Sequence, residues 1–438
     1  MEWHALLSNR RLGHLGAGAD ASRSEFQRDF DRIVYSSAFR RLQDKTQVYA
    51  LAGNDYVRTR LTHSIEVSCV GRSLGGLVGA FLKKQDEVCL DPRDVGDIVA
   101  AACLAHDIGN PPFGHAGEAA IQSWFMGPGQ STMTMLTQAE RADFLHFEGN
   151  AQGFRVLSRL QYAVNQGGMQ LTCAVLGAFA KYPRDAMAQR SRLLGVSEKK
   201  HGYFRADAQL FAEVAAALGL RALQGGAWCR HPLAFLMEAA DDICYCIVDI
   251  EDGHRVGLLS FDEARELLEP IAFASASSER LNSYRLMIDN ASRVSYLRAK
   301  AIGTLVLAVA EVFEQNHNAI IDGRLDEELL GRTAHAAQLR RIRDISRRKI
   351  YAAALDAPKS LVDEVLGTIL DAIVAQALGA VDVNDALPLP QQFRNGGSIY
   401  ERLLSATDFV SGMTDSYAMS AHRRLLGVRS TSASAAAP

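Results

Sequence analysis

Histidines and carboxylates stand together in three separated segments of the chain. One segment, AHDIGNPPFGH at 105–115, pairs His106 with Asp107 at the end of an apolar run and then turns through glycines and prolines. Ionised carboxylates are almost never buried without a partner, so this pair is a poor candidate for core filling. An isolated His-Asp dipeptide would most often only cap a helix, but the two other segments argue against that interpretation.

The other two segments supply the further ligands that a metal ion needs. His63 stands at the start of an amphipathic helix, and MEAADD at 237–242 places two aspartates inside an otherwise apolar helix. Unpaired charges would be costly there. Two imidazoles and two carboxylates suit Mn, Fe, Co, Ni or Zn, and accept Mg less selectively. The three segments therefore predict one divalent metal ion.

Helix spacing distinguishes the two adjacent aspartates of the third segment. Asp241 and Tyr245 stand one turn apart, and Asp249 follows after a second turn. With Glu238 three residues earlier, they form one polar stripe. Asp242 points about a quarter-turn away from this stripe, towards a capping or supporting role. The spacing therefore favours Asp241 as the fourth ligand.

The elements that carry these residues are predicted to be helices. Asp91 and Pro92 are typical of a helix start, and the apolar helix that follows is predicted to end at Gly109. His231-Pro232 opens the helix that contains the two aspartates. One apolar stripe follows His63 and comprises Ile65, Cys69, Leu74, Leu77, Val78 and Phe81. Further helices are predicted at 205–222, 262–270, 284–315, 325–345 and 359–378. Continuous alternating strands are hard to find, which predicts an all-α fold.

Composition restricts the class of protein. The chain has 438 residues, a formal net charge of -3 and 48% hydrophobic residues. This near-neutral balance argues against a dedicated nucleic-acid coat protein, but it allows a local basic groove. The most apolar stretch, 301–313, is about thirteen residues long, short of the ~20 that span a bilayer. No targeting segment is recognisable, and the seven scattered cysteines are interpreted as buried thiols. We therefore expect a cytoplasmic protein without a membrane partner.

Motifs along most of the chain extend this pattern. They are RTRLTHSIEV, AHDIGNPPFGHAGE, HFEGNAQ, KYP, MEAADDICY and FVSGMTDSYA, between about residues 35 and 420. Together they resemble the bacterial deoxyguanosinetriphosphate triphosphohydrolase (dGTPase) family of the HD-domain superfamily. The resemblance implies an all-α HD-domain helical fold with an additional helical C-terminal region. It also implies hydrolysis of a dNTP, preferably dGTP, to deoxynucleoside and inorganic triphosphate, with one divalent metal per subunit (Mg, Mn or Co).

The resemblance further implies roles for individual side chains. The metal positions are His63, His106, Asp107 and Asp241, and the catalytic proton-transfer pair is His115 and Glu118. The substrate-binding positions are Gln47 for the 3′-hydroxyl, Arg60, Lys181 and Asp249 for phosphate or sugar, and Tyr245, whose ring packs on the sugar. Asn110 departs from the commonest pattern, which has histidine there, and resembles a subgroup more selective for dGTP. Asparagine cannot titrate, so no catalytic role is carried to it.

Domain organisation and partners follow with less detail. We expect one phosphohydrolase body over 1–429, with an HD core at about 55–255 and a looser helical lobe at about 256–429, followed by a disordered tail at 430–438. The resemblance suggests a homo-hexamer. The basic segment RRIRDISRRKIY at 340–351 is either a site for single-stranded DNA as a modulator or a solvated helix face. The alternative functions are another HD-superfamily nucleotidase or cyclic-nucleotide phosphodiesterase, and a non-catalytic nucleic-acid-binding protein that keeps the metal for structure.

Overall fold

Helices are the main elements in the part of the chain that the structure describes. The computed structural model describes residues 1–13, 23–47, 58–85, 91–188, 195–223, 225–274, 278–352, 359–380, 387–394 and 397–435. Within these ranges the only extended pairings are three isolated β-bridges, and no β-strand is present. The all-α prediction is confirmed.

Eighteen α-helices are found in the described ranges. They are α1 (Trp3–Leu6), α2 (Glu25–Val34), α3 (Ser37–Arg40), α4 (Arg60–Lys84), α5 (Pro92–Ala105), α6 (His115–Met126), α7 (Gln138–Leu145), α8 (Gly149–Arg155), α9 (Cys173–Phe179), α10 (Ala208–Leu218), α11 (Pro232–Arg255), α12 (Phe261–Ala272), α13 (Ser278–Arg285), α14 (Asn290–Ile321), α15 (Ala336–Ile345), α16 (Lys359–Ala377), α17 (Ile399–Ser411) and α18 (Asp415–Ala435). Two π-helical segments, Val156–Leu160 and Ser346–Tyr351, extend α8 and α15.

Helices α4 and α5 form the centre of the fold and pack at short distance. Three glycines one turn apart on α4 permit this approach, because a Cβ atom at Gly71, Gly75 or Gly79 would lie under 3 Å from atoms of α5. The predicted apolar stripe on α4 is wrong in part, since Ile65 and Cys69 are exposed. The glycine row selects the buried face, and the large apolar side chains beside it are Val67, Val70, Leu74, Val78 and Leu82.

The start of α5 agrees with the sequence and its end does not. The Asp91 side chain accepts a hydrogen bond from the Arg93 amide and caps the helix. However, α5 ends at Ala105, and His106 begins a turn that runs through Gly109. Gly109 has a φ of 107°, and a Cβ atom there would lie 2.1 Å from the Gly153 nitrogen. The predicted glycine thus closes the turn after the helix rather than the helix itself.

Two hydrophobic cores lie side by side. The first contains α4, α5, α9 and α11, with α12 and α14 packed against them. The second is built by α6 and α7 together with α16, α17 and α18. Helices from both of the predicted ranges, 55–255 and 256–429, therefore share each core. The division of the body into these two ranges stays a prediction.

Three further expectations concern the C-terminal tail, the cysteines and the possibility of a membrane-spanning helix. Helix α18 continues to Ala435, and residues 436–438 lie outside the described ranges. The disordered tail expected at 430–438 stays a prediction. Five cysteines are buried, Cys69 is exposed, and Cys89 lies outside the described ranges. Helix α4 is long and apolar enough to cross a membrane by composition, but here it packs against α5, α11 and α14.

Candidate metal centre and substrate cleft

A cleft of about 420 Å³ opens beside the first turn of α4 and the turn that follows α5. Nine of the predicted site residues line it: Gln47, Arg60, His63, His106, Asp107, His115, Lys181, Asp241 and Tyr245. Asn110 lines it as well. Glu118 and Asp249 are buried and stand outside this lining. The fold thus gathers segments as distant as α4 and α11 around one cavity.

Two histidines and one aspartate converge at the floor of this cleft. The Nε2 atom of His63 lies 3.2 Å from Oδ1 of Asp241, and Nε2 of His106 lies 3.5 Å from the same oxygen. The other ring nitrogen of His106, Nδ1, is 2.6 Å from the Cys103 carbonyl oxygen. When this ring is neutral and donates Nδ1–H to the carbonyl oxygen, its Nε2 is the unprotonated atom that can bind a metal. These three side chains therefore offer ligand atoms that can share one cation.

The Asp107 side chain lies beside this group. Its Oδ1 accepts hydrogen bonds from Arg60 at 2.7 Å and from the Asn110 amide at 2.6 Å. Its Oδ2 is buried, has no hydrogen-bond partner among the described residues and lies 3.6 Å from Nε2 of His106. A buried carboxylate oxygen without a donor is costly. The oxygen fits a cation placed between Asp107 and the histidines.

Positive side chains keep both carboxylates ionised. Burial alone would raise the pKa of Asp107, but Arg60 and the two histidines outweigh it and hold this pKa below its usual value. Burial is likewise outweighed at Asp241, where Lys181 and His106 hold the pKa well below its usual range. The Lys181 Nζ atom lies 2.7 Å from Oδ2 of Asp241. Both acids are thus in the form that can bind a metal at neutral pH.

The neighbouring Asp242 faces another part of the protein. It lies 3.2 Å from Arg343 on α15, away from the histidines. Burial and nearby Glu238 raise the pKa of Asp242 to about 7. Of the two adjacent aspartates, the structure therefore brings Asp241 to the histidines.

The predicted proton-transfer residues stand at the start of α6. His115 is exposed to solvent at the edge of the cleft. Desolvation within the cleft, together with positive Lys200 and Arg60, lowers the pKa of His115. Glu118 is buried one turn later, where its Oε1 accepts a hydrogen bond from the Gly149 amide at 2.8 Å. Its Oε2 lies 3.6 Å from Lys200. Among the described residues Glu118 bonds Gly149 rather than His115, so an orienting bond between the pair stays a prediction.

The side chains assigned to the sugar lie at different depths. Gln47 lines the cleft, and its Oε1 is buried with no hydrogen-bond partner among the described residues. The Tyr245 ring stacks on Tyr351 with 5.1 Å between ring centroids. Asp249 lies behind these rings and accepts a 2.6 Å hydrogen bond from the Tyr351 hydroxyl. Direct contact of Asp249 with a substrate stays a prediction, because the structure places it as a support for Tyr351.

Comparison with known proteins agrees with this architecture. The HD domain family matches residues 60–166, which contain His63, the His106-Asp107 pair and His115. A deoxyguanosinetriphosphate triphosphohydrolase-like protein of Synechocystis is 43% identical over 98% of this chain and 100% of its own length. A protein of the same description from Pseudomonas aeruginosa is 40% identical over 99% of this chain and 100% of its own length. The chain belongs to the deoxyguanosinetriphosphate triphosphohydrolase family. A member named deoxyguanosinetriphosphate triphosphohydrolase, from Salmonella typhimurium, is 30% identical over 92% of this chain and 94% of its own length.

Membership in this family makes the protein a hydrolase of the HD superfamily, whose domain is generally metal-dependent. The donor set fits that chemistry. It combines two imidazole nitrogens with a carboxylate oxygen of Asp241. The Oδ2 atom of Asp107, which has no hydrogen-bond partner among the described residues, lies beside them. Such a mixed N/O set suits a divalent first-row transition metal.

Several cleft residues of this dGTPase-family protein were not assigned from the sequence. Lys200, Tyr182, Asn150 and Tyr351 all line the cavity. Tyr351 ends the π-helical segment that extends α15, and such segments often occur at functional sites. Asn150 and Tyr182 belong to motifs already quoted, HFEGNAQ and KYP, so their positions could have been proposed. Lys200 follows another lysine in a polar stretch, and no spacing there points to a site.

Proposed function

We propose that the protein hydrolyses dNTPs, preferably dGTP, to the deoxynucleoside and inorganic triphosphate. One observation carries the proposal: a single cleft joins the metal-binding group, an exposed histidine and the unpartnered amide oxygen of Gln47. These are a phosphate-activating centre, a proton donor and a sugar-reading group. The name of the Salmonella relative, deoxyguanosinetriphosphate triphosphohydrolase, also supports dGTP as the substrate.

The cations around the cleft suit a polyanionic substrate. We assign one divalent ion, Mg, Mn or Co, to His63, His106, Asp107 and Asp241. When bound, such an ion supplies Lewis-acid chemistry that offsets negative charge on a phosphate. Lys181, Arg60 and Lys200 all line the same cavity and can bind phosphate oxygens. Lys181 pairs with Asp241 and Arg60 pairs with Asp107, so both cations lie directly beside the proposed metal ligands.

The reaction needs a proton at the leaving oxygen. Water attacks the α-phosphorus, the bond to the 5′-oxygen breaks, and the nucleoside leaves with both electrons of that bond. A deoxyribose alkoxide is a poor leaving group, and we assign its protonation to His115, with Glu118 as its partner. Tyr245 forms the wall near C2′, where an added ribose hydroxyl would collide. The products are deoxyguanosine and triphosphate.

Product analysis tests this function and its alternatives. The purified protein is incubated with each dNTP and NTP in Mg or Mn, and the products are resolved by ion exchange. We expect deoxynucleoside and inorganic triphosphate, formed fastest from dGTP. Orthophosphate as the product would instead identify a nucleotidase. Hydrolysis of cyclic nucleotides alone would identify a phosphodiesterase, and no hydrolysis of any of these would favour a non-catalytic nucleic-acid-binding protein.

Sugar discrimination by Gln47 gives a specific expectation. The wild type should prefer dGTP over 2′,3′-dideoxy-GTP by roughly tenfold to a hundredfold in kcat/KM. A missing 3′-hydroxyl leaves the buried amide unpaired, at about 1–3 kcal/mol. GTP should be cleaved poorly because of its 2′-hydroxyl. Gln47→Ala should narrow the gap between dGTP and the dideoxy analogue, as measured by steady-state kinetics with both substrates.

Gln376→Ala is the matched control for this experiment. Gln376 bonds Leu387 and Leu389 in the second core and does not line the cleft, so its loss should leave the ratio unchanged. Equal rates with dGTP and dideoxy-GTP in the wild type would remove Gln47 from the sugar site.

Assembly, modulators and location stay predictions. We propose a homo-hexamer in the cytoplasm, on the resemblance to the family. The structure gives little support to single-stranded DNA as a modulator. Of the basic segment at 340–351, Arg343 pairs with Asp242 and Glu328, and Lys349 pairs with Glu263. These ion pairs reduce the positive charge available to a nucleic acid.

A further inference from the structure

A short segment between α17 and α18 reaches from the second core to the back of the cleft. At its start, the Ser411 carbonyl oxygen accepts a 2.8 Å hydrogen bond from the Lys45 ammonium group. At its end, Asp415 uses its two carboxylate oxygens on two different partners. Oδ1 accepts a 2.9 Å bond from the Phe113 amide, and Oδ2 accepts bonds from the amide and hydroxyl of Thr46. One carboxylate thus joins two segments of the chain that are far apart in sequence.

The two segments joined in this way carry different parts of the proposed machinery. Thr46 immediately precedes Gln47, which lines the cleft. Phe113 belongs to the turn between Asp107 and His115. Lys45 makes a second, parallel connection, since its ammonium group also donates to the Asn110 carbonyl oxygen in the same turn. Lys45 and Asp415 therefore both connect the segment that contains Gln47 to the turn that precedes His115.

Both connections involve residues whose conformation or burial costs free energy. Phe113 has a φ of 63°, a left-handed conformation that a bulky residue adopts only when its surroundings impose it. Lys45 is 5% exposed and its ammonium group binds two backbone carbonyl oxygens. Burial, with nearby Arg41 and Arg60, lowers the pKa of Lys45 to about 7. A strained backbone and a buried lysine at the same place are more typical of a site than of a simple core contact.

We propose that Lys45 and Asp415 form a clamp through which the second core sets the spacing between Gln47 and His115. Both are positioning residues, which act on the substrate through Thr46 and the Phe113 turn. The proposal rests on the proposed function, because it assigns to the clamp the discrimination between sugars. It adds that residues at the junction of α17 and α18, outside the HD domain match, determine this selectivity.

Asp415→Asn tests the clamp with little change of shape. Asparagine keeps one carbonyl oxygen but places an NH₂ group where the carboxylate accepts a hydrogen bond from a backbone amide, so the bond from the Phe113 amide or the bond from the Thr46 amide must break. We expect kcat/KM for dGTP to fall by roughly a hundredfold, because small displacements of reacting groups have effects of this size. The ratio between dGTP and dideoxy-GTP should fall towards one. Metal content, measured by elemental analysis, should stay that of the wild type.

Two controls separate positioning from general loss of structure. Asp143→Asn removes another buried carboxylate, which accepts bonds from the Arg205 amide and the Tyr400 hydroxyl at a distance from the cleft lining. It should leave the sugar ratio unchanged even where it lowers thermal stability. At Thr46, valine removes the hydroxyl that bonds Asp415, whereas serine keeps it. Thr46→Val should reduce the ratio of kcat/KM between dGTP and dideoxy-GTP. Thr46→Ser should keep this ratio close to that of the wild type.

Hydrogen exchange measured by mass spectrometry gives a readout that does not need activity. Asp415→Asn should accelerate exchange in peptides that contain the amides of Thr46 and Phe113, and Asp143→Asn should not. Unchanged exchange at both amides, with an unchanged sugar ratio, overturns the clamp. If the wild type cleaves no dNTP, the proposed function fails. Exchange then still decides whether Asp415 holds the two segments together.

Discussion

Asp107→Ala should lose the bound metal. As a result, kcat/KM for dGTP should fall by roughly a thousandfold or more. Loss of a metal ligand removes several kcal/mol of transition-state stabilisation, and each 1.36 kcal/mol is a factor of ten. Elemental analysis and kcat/KM for dGTP measure the two effects. The same substitution leaves the buried Arg60 without its carboxylate, which can cost about 3–5 kcal/mol of stability. Asp107→Asn keeps an acceptor for Arg60, so it should fold and still lose the metal.

Asp242→Asn is the matched control for the metal site. Asp242, like Asp107, is a carboxylate that faces an arginine, but its partner is Arg343 on α15. This variant should keep the metal, whereas Asp241→Asn should lose it. Full metal occupancy in Asp107→Asn, or greater damage from Asp242→Asn than from Asp241→Asn, would contradict the assigned ligands.

His115→Ala should keep the metal and the affinity for nucleotide while kcat falls by roughly 10²–10⁴-fold, the usual range for a general acid. A general acid acts in its protonated form, so wild-type kcat should decrease as the pH rises through the pKa of His115. Desolvation and Lys200 lower this pKa, and a bound polyphosphate should raise it again by adding negative charge. The decrease of kcat at higher pH should disappear in the variant.

The exposed His146 provides a comparison for this effect. It stands at the C-terminal end of α7 and does not line the cleft. His146→Ala should therefore leave both kcat and its pH dependence unchanged. Turnover in His115→Ala equal to that of the wild type would remove His115 from the mechanism.

Local patterns determined where several helices begin and which side chains could do chemistry. Asp91-Pro92 and His231-Pro232 start their helices as predicted, because capping and proline preferences act within one turn. The separation of Asp241 from Asp242 follows from the angle between consecutive residues of a helix, which tertiary packing does not change. The motifs by themselves carry the resemblance to the family. All of these features depend on neighbours close in sequence.

Only the tertiary structure shows the features that depend on contacts between residues far apart in sequence. The buried face of α4 is set by the close approach of α5 to a row of glycines, and the apolar residues alone suggested a different stripe. The role of Asp249 behind Tyr351 depends on where the π-helical segment passes. The contacts of Asp415 with Thr46 and Phe113 join residues 369 and 302 positions apart. A side chain's own type and spacing carry no record of such partners, because the pairing arises only when two cores pack against each other.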